Sequence, residues 1–326
     1  MYSRNIYTKD ISVVVLIYNS GYEKIRATLN SIVCQKNVDY EIIFADDGSK
    51  EEHMDEIQEF FKDYPYISYQ YIRNEKNQGT VLNFYSGVVK AQGKYIKPIS
   101  PGDFLYDSDT LRTIFDFMEK NHAKVAFGKA VHYYLDNSDK LCCISKISPK
   151  LYQDYKNDEY NNKKILTNLL LFNDNILGAA LVYDTESLKY YLDKMKKVVK
   201  YVEDIVTYLM AVDDIQIYQI DNNIVWYEYG GGVSTSANES WLVQLWKDEM
   251  SCLHVASQMS PNNKMIEKGV KLRSTRPIKS KLIKKFVRIC MEPKLLIFNI
   301  KKIKAKKVDI SNVKKECIEQ YLEKRR

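Results

Sequence analysis

The chain has 326 residues, 45% of them apolar and 28% charged, which is ample material for one large or two modest domains and excludes disorder as the main state. No apolar run approaches the roughly 18 residues of a membrane span. The polar, mixed-charge residues 1–10 do not read as a signal peptide, and six cysteines without CxxC or Cys/His metal spacing suit a cytosolic chain. The net charge of +7 is divided, because residues 264–326 hold 21 Lys and Arg against 6 Asp and Glu, or +15, leaving −8 for the first 263 residues. An acidic body with a basic tail assigns any contact with a polyanion to the tail.

Ile11-Ser-Val-Val-Val-Leu-Ile17 is a continuous β-branched run, as a strand buried on both faces requires. Ser20 with Glu23 reads as a capping box, and Ile25, Leu29, Ile32 and Val33 then recur at helical spacing. Glu41-Ile-Ile-Phe-Ala45 is a second strand, followed by a second capping box, Ser49 with Glu52, ahead of Met54, Ile57 and Phe61. Ile67, Tyr69 and Tyr71 alternate as a more exposed third strand. Val81, Phe84 and Val88 mark a helix, and residues 94–99 a fourth strand. Strands about every 26 residues with helices between predict a parallel α/β sheet with right-handed crossovers.

Beyond Pro101 the pattern loosens. Leu111, Ile114, Phe115 and Met118 mark a helix, residues 124–127 a strand, and residues 131–175 a less regular region. Gly230-Gly-Gly232 is the clearest breaker, Trp241, Leu245 and Trp246 open a helix after it, and from Lys268 the chain is basic and helical. There Ile278, Leu282, Phe286 and Ile289 form an apolar stripe between Lys279, Lys281, Lys284, Lys285 and Arg288. Such a helix either rests on an anionic membrane or packs its stripe on the body.

Ligands of an open parallel sheet bind outside the carboxyl ends of its strands. The first end reads Tyr18-Asn19-Ser20-Gly21, whose lone glycine is not the Gly-x-Gly-x-x-Gly of a dinucleotide site. The second reads Asp46-Asp47-Gly48-Ser49 and the fourth Ser100-Pro101-Gly102-Asp103. Asp46 and Asp47 either build an Asx-turn and cap the next helix or bind the N–H and O–H groups of a ligand. Histidines 53, 122, 132 and 254 form no metal-ligand spacing, and neither a Walker loop nor a nucleophile elbow is present.

Taken together, Ile11-Ser-Val-Val-Val-Leu-Ile-Tyr-Asn19, Tyr40-Glu-Ile-Ile-Phe-Ala-Asp-Asp-Gly-Ser49, Asn77-Gln-Gly79 and Gly93-Lys-Tyr-Ile96 resemble the family 2 glycosyltransferases of the GT-A fold. The match is specific over about residues 10–105 and continues more weakly to Glu203-Asp204 and Tyr229-Gly-Gly-Gly-Val-Ser-Thr235. The resemblance implies that Tyr18, beside Asn19, lies against the uracil ring of a UDP-sugar. It implies that Asp47 accepts the uracil imide N–H, and that Asp46 shapes the turn or reaches the ribose. Asn77 and Gly79 would belong to the loop closing over the nucleotide. The family's Asp-x-Asp, which holds a divalent cation (Mn²⁺ or Mg²⁺) on the diphosphate, aligns with Ser100-Pro101-Gly102. The principal metal ligand is thus a glycine here, so either Asp103 takes the metal or metal binding is weakened or lost. The Glu203-Asp204 pair looks like the family's catalytic motif, with Asp204 as general base and Glu203 beside it.

The expected architecture is α/β: a GT-A, Rossmann-like, nucleotide-binding mixed sheet flanked by helices, with a basic helical C-terminal extension. Residues 1–235 would form the GT-A domain, with a nucleotide half to about 105 and an acceptor half to 235, and residues 236–326 the extension. The implied activity is an inverting transfer from a UDP-sugar to a saccharide or lipid-linked acceptor in cell-surface polysaccharide synthesis. The protein would be cytoplasmic and peripheral on the inner, anionic face of the membrane. Two alternatives stand beside it: a non-catalytic sugar-nucleotide-binding GT-A shell, and a nucleic-acid-binding protein acting through the basic tail. The tail's Phe286 and Phe298 lie on apolar helix faces rather than spaced for base stacking, which argues against nucleic acid.

Overall fold

The β-branched runs of the first hundred residues alternate with helices: β1 (Lys9–Ile17), α1 (Tyr22–Val33), β2 (Tyr40–Asp46), α2 (Met54–Phe61), β3 (Ser68–Arg73), α3 (Thr80–Val88) and β4 (Gly93–Ile99). A computed structural model describes residues 7–230, 238–303 and 309–323. In it β1 lies parallel to β2 on one side and β4 on the other, and β3 pairs parallel with β2. The chain thus winds outward from β1 to β3 and returns past β1 to β4. The carboxyl ends of β1 and β4 therefore form the topological switch point, where open α/β sheets leave a crevice. β1 serves both faces: Val14 belongs to the core beside α3, while Val13, Val15 and Ile17 join Ile25 and Leu29 of α1 and Ile57 of α2.

The second half extends the sheet with short strands and helices. They are β5 (Phe104–Leu105), α4 (Thr110–Asn121), β6 (Val125–Leu135), β7 (Leu141–Ile144), α5 (Asn162–Leu166), β8 (Leu181–Asp184), α6 (Thr185–Met195), α7 (Val206–Val212) and β9 (Ile217–Glu228). The strand order is β3-β2-β1-β4-β8-β6-β9-β5, with β7 paired to β6. Beyond β4 the parallel pattern ends, since β8 runs antiparallel to both β4 and β6, while β9 is parallel to β6. The sheet is therefore mixed. The strand expected over residues 124–127 continues to Leu135 and folds back through β7 as a hairpin.

Neither expected capping box forms. Gly21 stands at the N-cap of α1 with no side-chain cap, and α2 starts behind His53. The Ser49 hydroxyl is diverted: it donates to Asp46 Oδ1 at 2.6 Å and accepts the Asn19 N–H at 2.8 Å. Joining two strand ends wins over capping a helix.

The C-terminal helices are α8 (Glu239–Met259), α9 (Lys264–Arg273), α10 (Lys281–Met291), α11 (Lys294–Ile303) and α12 (Lys315–Glu323). Cys252, Leu253 and Ala256 of α8 and Ile266 and Leu272 of α9 enter the same apolar cluster as α6 and α7. Arg273 ties them down, donating to Glu249, Asn173, the Tyr208 hydroxyl and the Leu169 and Leu170 carbonyls. α10 buries no residue, whereas α11 seats Leu295 and Phe298, with Phe298 stacked on Phe172 at 4.7 Å. α12 returns to α1, where Ile318 and Tyr321 pack with Ala27, Phe104 and Trp226. No helix among the described residues is long and apolar enough to cross a membrane.

Candidate active site at the carboxyl edge of the sheet

At the end of β1, Tyr18 leaves the sheet half exposed and offers an open aromatic face. Asn19 takes a positive φ of 50°, and its Oδ1 accepts the Lys50 N–H at 3.0 Å, which splices the β1 and β2 ends. Asp46 is fully engaged. Its Oδ1 accepts from Ser49 N and Oγ, and its Oδ2 accepts from the Tyr71 hydroxyl and faces Arg73 Nε at 3.4 Å. These bonds shape the turn after β2.

Asp47 is 3% exposed and also works within the protein. Its Oδ1 accepts from Asn74 Nδ2 at 3.0 Å and Gln78 N at 2.8 Å, and its Oδ2 from Gly79 N at 2.8 Å. The carboxylate thereby holds the loop that contains half-buried Asn77, leaving Oδ2 capacity for one further donor. Gly79 has φ +94°, and a Cβ there would lie 2.5 Å from the Lys200 carbonyl oxygen. Only glycine lets this loop meet the 200–204 segment, where Val81 N donates to Lys200 O at 3.0 Å.

Ser100, Pro101, Gly102 and Asp103 form the turn after β4. Thr28 of α1 anchors it, its hydroxyl accepting the Gly102 N–H and donating to the Asp103 carbonyl. Asp103 is turned inward: its Oδ1 accepts the Glu228 N–H at 3.0 Å. Burial pushes this carboxyl up to about 7, with that hydrogen bond and Lys97 pulling the other way. Lys97 is itself buried and donates to the Pro98 and Ala179 carbonyls; burial pushes it down to about 7, opposed by Asp103.

These residues do not fit the divalent cation that the resemblance implies. A hard cation needs several ionised oxygen donors converging on one point. Here Asp103 is sealed under the turn, position 102 has no side chain, and the Glu228 carboxylate is ion-paired with Lys24 Nζ at 2.7 Å. Among the described residues no three His, Cys, Asp or Glu side chains cluster as a metal site.

Glu203 and Asp204 lie in a short 3₁₀ turn, Glu203–Ile205, that leads into α7. α8 holds this turn from behind: Asp248 accepts the Tyr201 N–H at 2.6 Å, and the Cys252 thiol donates to the Ile205 carbonyl. From the front, Gly178 touches both acids; a Cβ there would stand 3.0 Å from Glu203 Oε1 and 3.4 Å from Asp204 Cβ. The next residue, Ala179, receives Lys97 from β4, so the acids are linked to the β4 end. Asp204 Oδ1 is sealed from solvent and has no hydrogen-bond partner among the described residues. Burial, then the charge of Glu249, raises Asp204 above the usual carboxylate range; burial and Asp204 itself raise Glu203.

Residues drawn from five separate stretches thus border one edge of the sheet. Residues 231–235, in the weaker part of the resemblance, lie outside the described residues. Sequence reasoning missed Lys24, Lys97, Gly178, Glu228 and Asp248. A lysine between Ile96 and Pro98 in the middle of a strand was a visible signal for Lys97; the others are single residues joined only by the fold.

Residues 12–168 match the family model described as glycosyl transferase family 2. A cholesterol galactosyltransferase of Borreliella burgdorferi is 28% identical over 137 residues, 42% of this chain and 33% of that protein. An uncharacterized glycosyltransferase of Escherichia coli, YibD, is 27% identical over 109 residues, 33% of this chain and 30% of that protein. The chain therefore matches about a third of the length of these curated relatives. Among solved structures, S. aureus TarS 1-349 in complex with UDP-GlcNAc aligns with TM-score 0.54 and 15% identity, covering 91% of this chain and 81% of that one. The same protein in complex with UDP gives TM-score 0.53 at 14% identity, covering 91% and 89%. These last two likenesses bear on the fold alone. Over residues 12–168, a little under half of its length, this chain is thus similar to glycosyl transferase family 2.

Proposed function

We propose that the chain is an inverting glycosyltransferase of GT-A architecture that uses a UDP-sugar. Its nucleotide would lie at the ends of β1 and β2, with uracil against Tyr18 and its imide N–H on the remaining capacity of Asp47 Oδ2. The observation that carries the reading is Asp204. Its Oδ1 is buried, unpartnered and held beside the Gly79 loop and Gly178 at the edge where the sheet opens. An acceptor hydroxyl has a pKa far above 7 and needs its proton removed as the new bond forms. A carboxylate raised toward neutrality is suited to that task. Asp204 would take the proton from the acceptor oxygen as that oxygen attacks the anomeric carbon and UDP departs from the opposite face. The charge of Glu249, with burial, would keep Asp204 basic, and Glu203 would stand beside it. The solved complexes of TarS with UDP and UDP-GlcNAc support a UDP-sugar as donor.

The acceptor we favour is a saccharide carried on a lipid, as in cell-surface polysaccharide synthesis, and the enzyme would work peripherally at an anionic membrane. The Borreliella relative is named for a lipid acceptor. In this chain all the exposed Leu, Ile and Phe of the described residues fall between 282 and 303: Leu282 (82% exposed), Ile283, Phe286 (68%), Leu296, Ile297, Ile300 and Ile303. Lys281, Lys284, Lys285, Lys294, Lys301 and Lys302 lie among them, the composition of a helix pair that rests on lipid headgroups.

The test is UDP release from a panel of UDP-sugars with lipid-linked saccharide acceptors. Asp204→Asn is expected to keep UDP binding while transfer falls by about 10²–10⁴-fold. Transfer within a few-fold of the parent would remove Asp204 from the base role and direct attention to Glu203.

A further inference from the structure

We infer that Lys24 takes the place of the divalent cation, offering its ammonium to a nucleoside diphosphate, and that Glu228 holds it there by occupying the volume a side chain at position 102 would fill. This rests on the reading of the carboxyl edge as a UDP-sugar site.

The argument begins with space. A Cβ on Gly102 would lie 2.5 Å from Glu228 Oε2 and 3.2 Å from its carboxyl carbon, so a side chain at 102 and the Glu228 carboxylate exclude each other. Gly102 also has φ +101°, which disfavours any side chain there. The carboxylate that the resemblance implies after the fourth strand is therefore replaced by one arriving from the end of β9. Its partner is Lys24, in the first turn of α1, whose Nζ donates to Oε1 at 2.9 Å and Oε2 at 2.7 Å.

An ammonium has three donors. Two go to Glu228, and the third has no partner among the described residues, which leaves it for an oxygen of a ligand. Both side chains are partly open, at 37% and 28% exposure, so solvent and solutes reach the pair. Its position is the β1/β4 switch point, where this class of sheet binds ligands. α1 opens there at Gly21 without a side-chain cap, so its first N–H groups add positive potential on the same side. The charge balance also agrees. A lysine paired with one glutamate is formally neutral, as a divalent ion between two carboxylates is, so the pair replaces the whole assembly without adding charge.

Calorimetric titration of UDP into the full chain, in EDTA and again with Mn²⁺, tests the inference, with uridine followed by ligand-observed NMR as the diphosphate-free control. UDP affinity in EDTA is expected within about threefold of that in Mn²⁺. Lys24→Gln is expected to weaken UDP about ten- to a hundredfold in both buffers while leaving uridine unchanged, the cost of one charge-assisted hydrogen bond. Lys24→Arg keeps the charge and should stay within a few-fold. Tight UDP binding only with Mn²⁺ overturns the inference and leaves the UDP-site reading standing. Equal losses of UDP and uridine in Lys24→Gln also overturn it, since they indicate damage to the crevice rather than a lost phosphate contact. Absence of UDP binding in both buffers overturns the site reading and the inference together.

Discussion

Asp47→Asn tests whether the carboxylate at the end of β2 holds its own loop. Both oxygens are in use: Oδ1 accepts from Asn74 Nδ2 and Gln78 N, and Oδ2 from Gly79 N. An asparagine retains one oxygen and must turn its NH₂ toward a donor, so at least one charge-assisted bond is lost and the others weaken. A charged hydrogen bond contributes about 1.5–3 kcal/mol, and a buried N–H left unpaired adds to the loss. With Asp47 only 3% exposed, water restores little, and the expected destabilisation is about 2–4 kcal/mol. For a chain of this size that corresponds to roughly 3–6 °C in Tm. Urea unfolding followed by tryptophan fluorescence measures it, with an unchanged m-value expected. UDP affinity should fall in parallel if, as proposed, the released loop is the one that closes over the nucleotide. A change in stability below about 0.5 kcal/mol would refute the reasoning, since surface substitutions without such a role fall in that range.

Gly178→Ala places a methyl 3.0 Å from Glu203 Oε1, so the acids must shift by a few tenths of an ångström; transfer should fall about tenfold or more with UDP affinity little changed, as parallel kinetics and calorimetry would report. Arg273→Met removes five donated hydrogen bonds and strands the Glu249 carboxylate, for an expected loss of about 3–5 kcal/mol in urea unfolding. The double variant Leu282→Ser/Phe286→Ser should stop flotation with anionic liposomes at low salt while leaving Tm in place, because α10 buries no residue; unaltered flotation would sink the membrane reading. Burial, reinforced by Lys146, pushes His132 down to about 4 from an ordinary 6.5, so the unfolded chain binds that proton more readily than the folded one. The stability it contributes is present above pH 6.5 and lost as pH falls toward 4, so His132→Gln should flatten the dependence of Tm on pH across that window.

β1 and β2 were legible because strands buried on both faces need nearly continuous apolar runs, as residues 13–17 and 42–45 supply, whereas β3 showed only as an alternation. The antiparallel half was not. β8 is four residues long, and its pairing with β4 and β6 joins stretches whose local patterns say nothing of one another. Candidate acids could be read from their places at strand ends, but the partners that define their chemistry could not. Lys24 and Glu228 meet across 204 residues of sequence, and Asp248 reaches Tyr201 from a helix with no motif. The Ser49 box failed for a related reason: its hydroxyl oxygen accepts the Asn19 N–H from the neighbouring strand end, while Asp46 accepts its O–H.

The return of α12 to α1 carries a consequence for how the protein is made. Asn30 donates to the Tyr321 carbonyl across 291 residues, and the Cys34 thiol meets the Tyr321 hydroxyl. At roughly 5–20 residues per second, α1 emerges from the ribosome on the order of 15–60 s before the helix that covers it. Once Trp226 has followed, Ala27, Phe104 and Trp226 present an apolar face without Ile318 and Tyr321 for about the last 5–20 s of that interval. β1 to β9 are complete by Glu228, so the nascent sheet waits with one flank open until α12 arrives. Holding chaperones should bind this flank, and chains stalled short of α12 should be the species that aggregate.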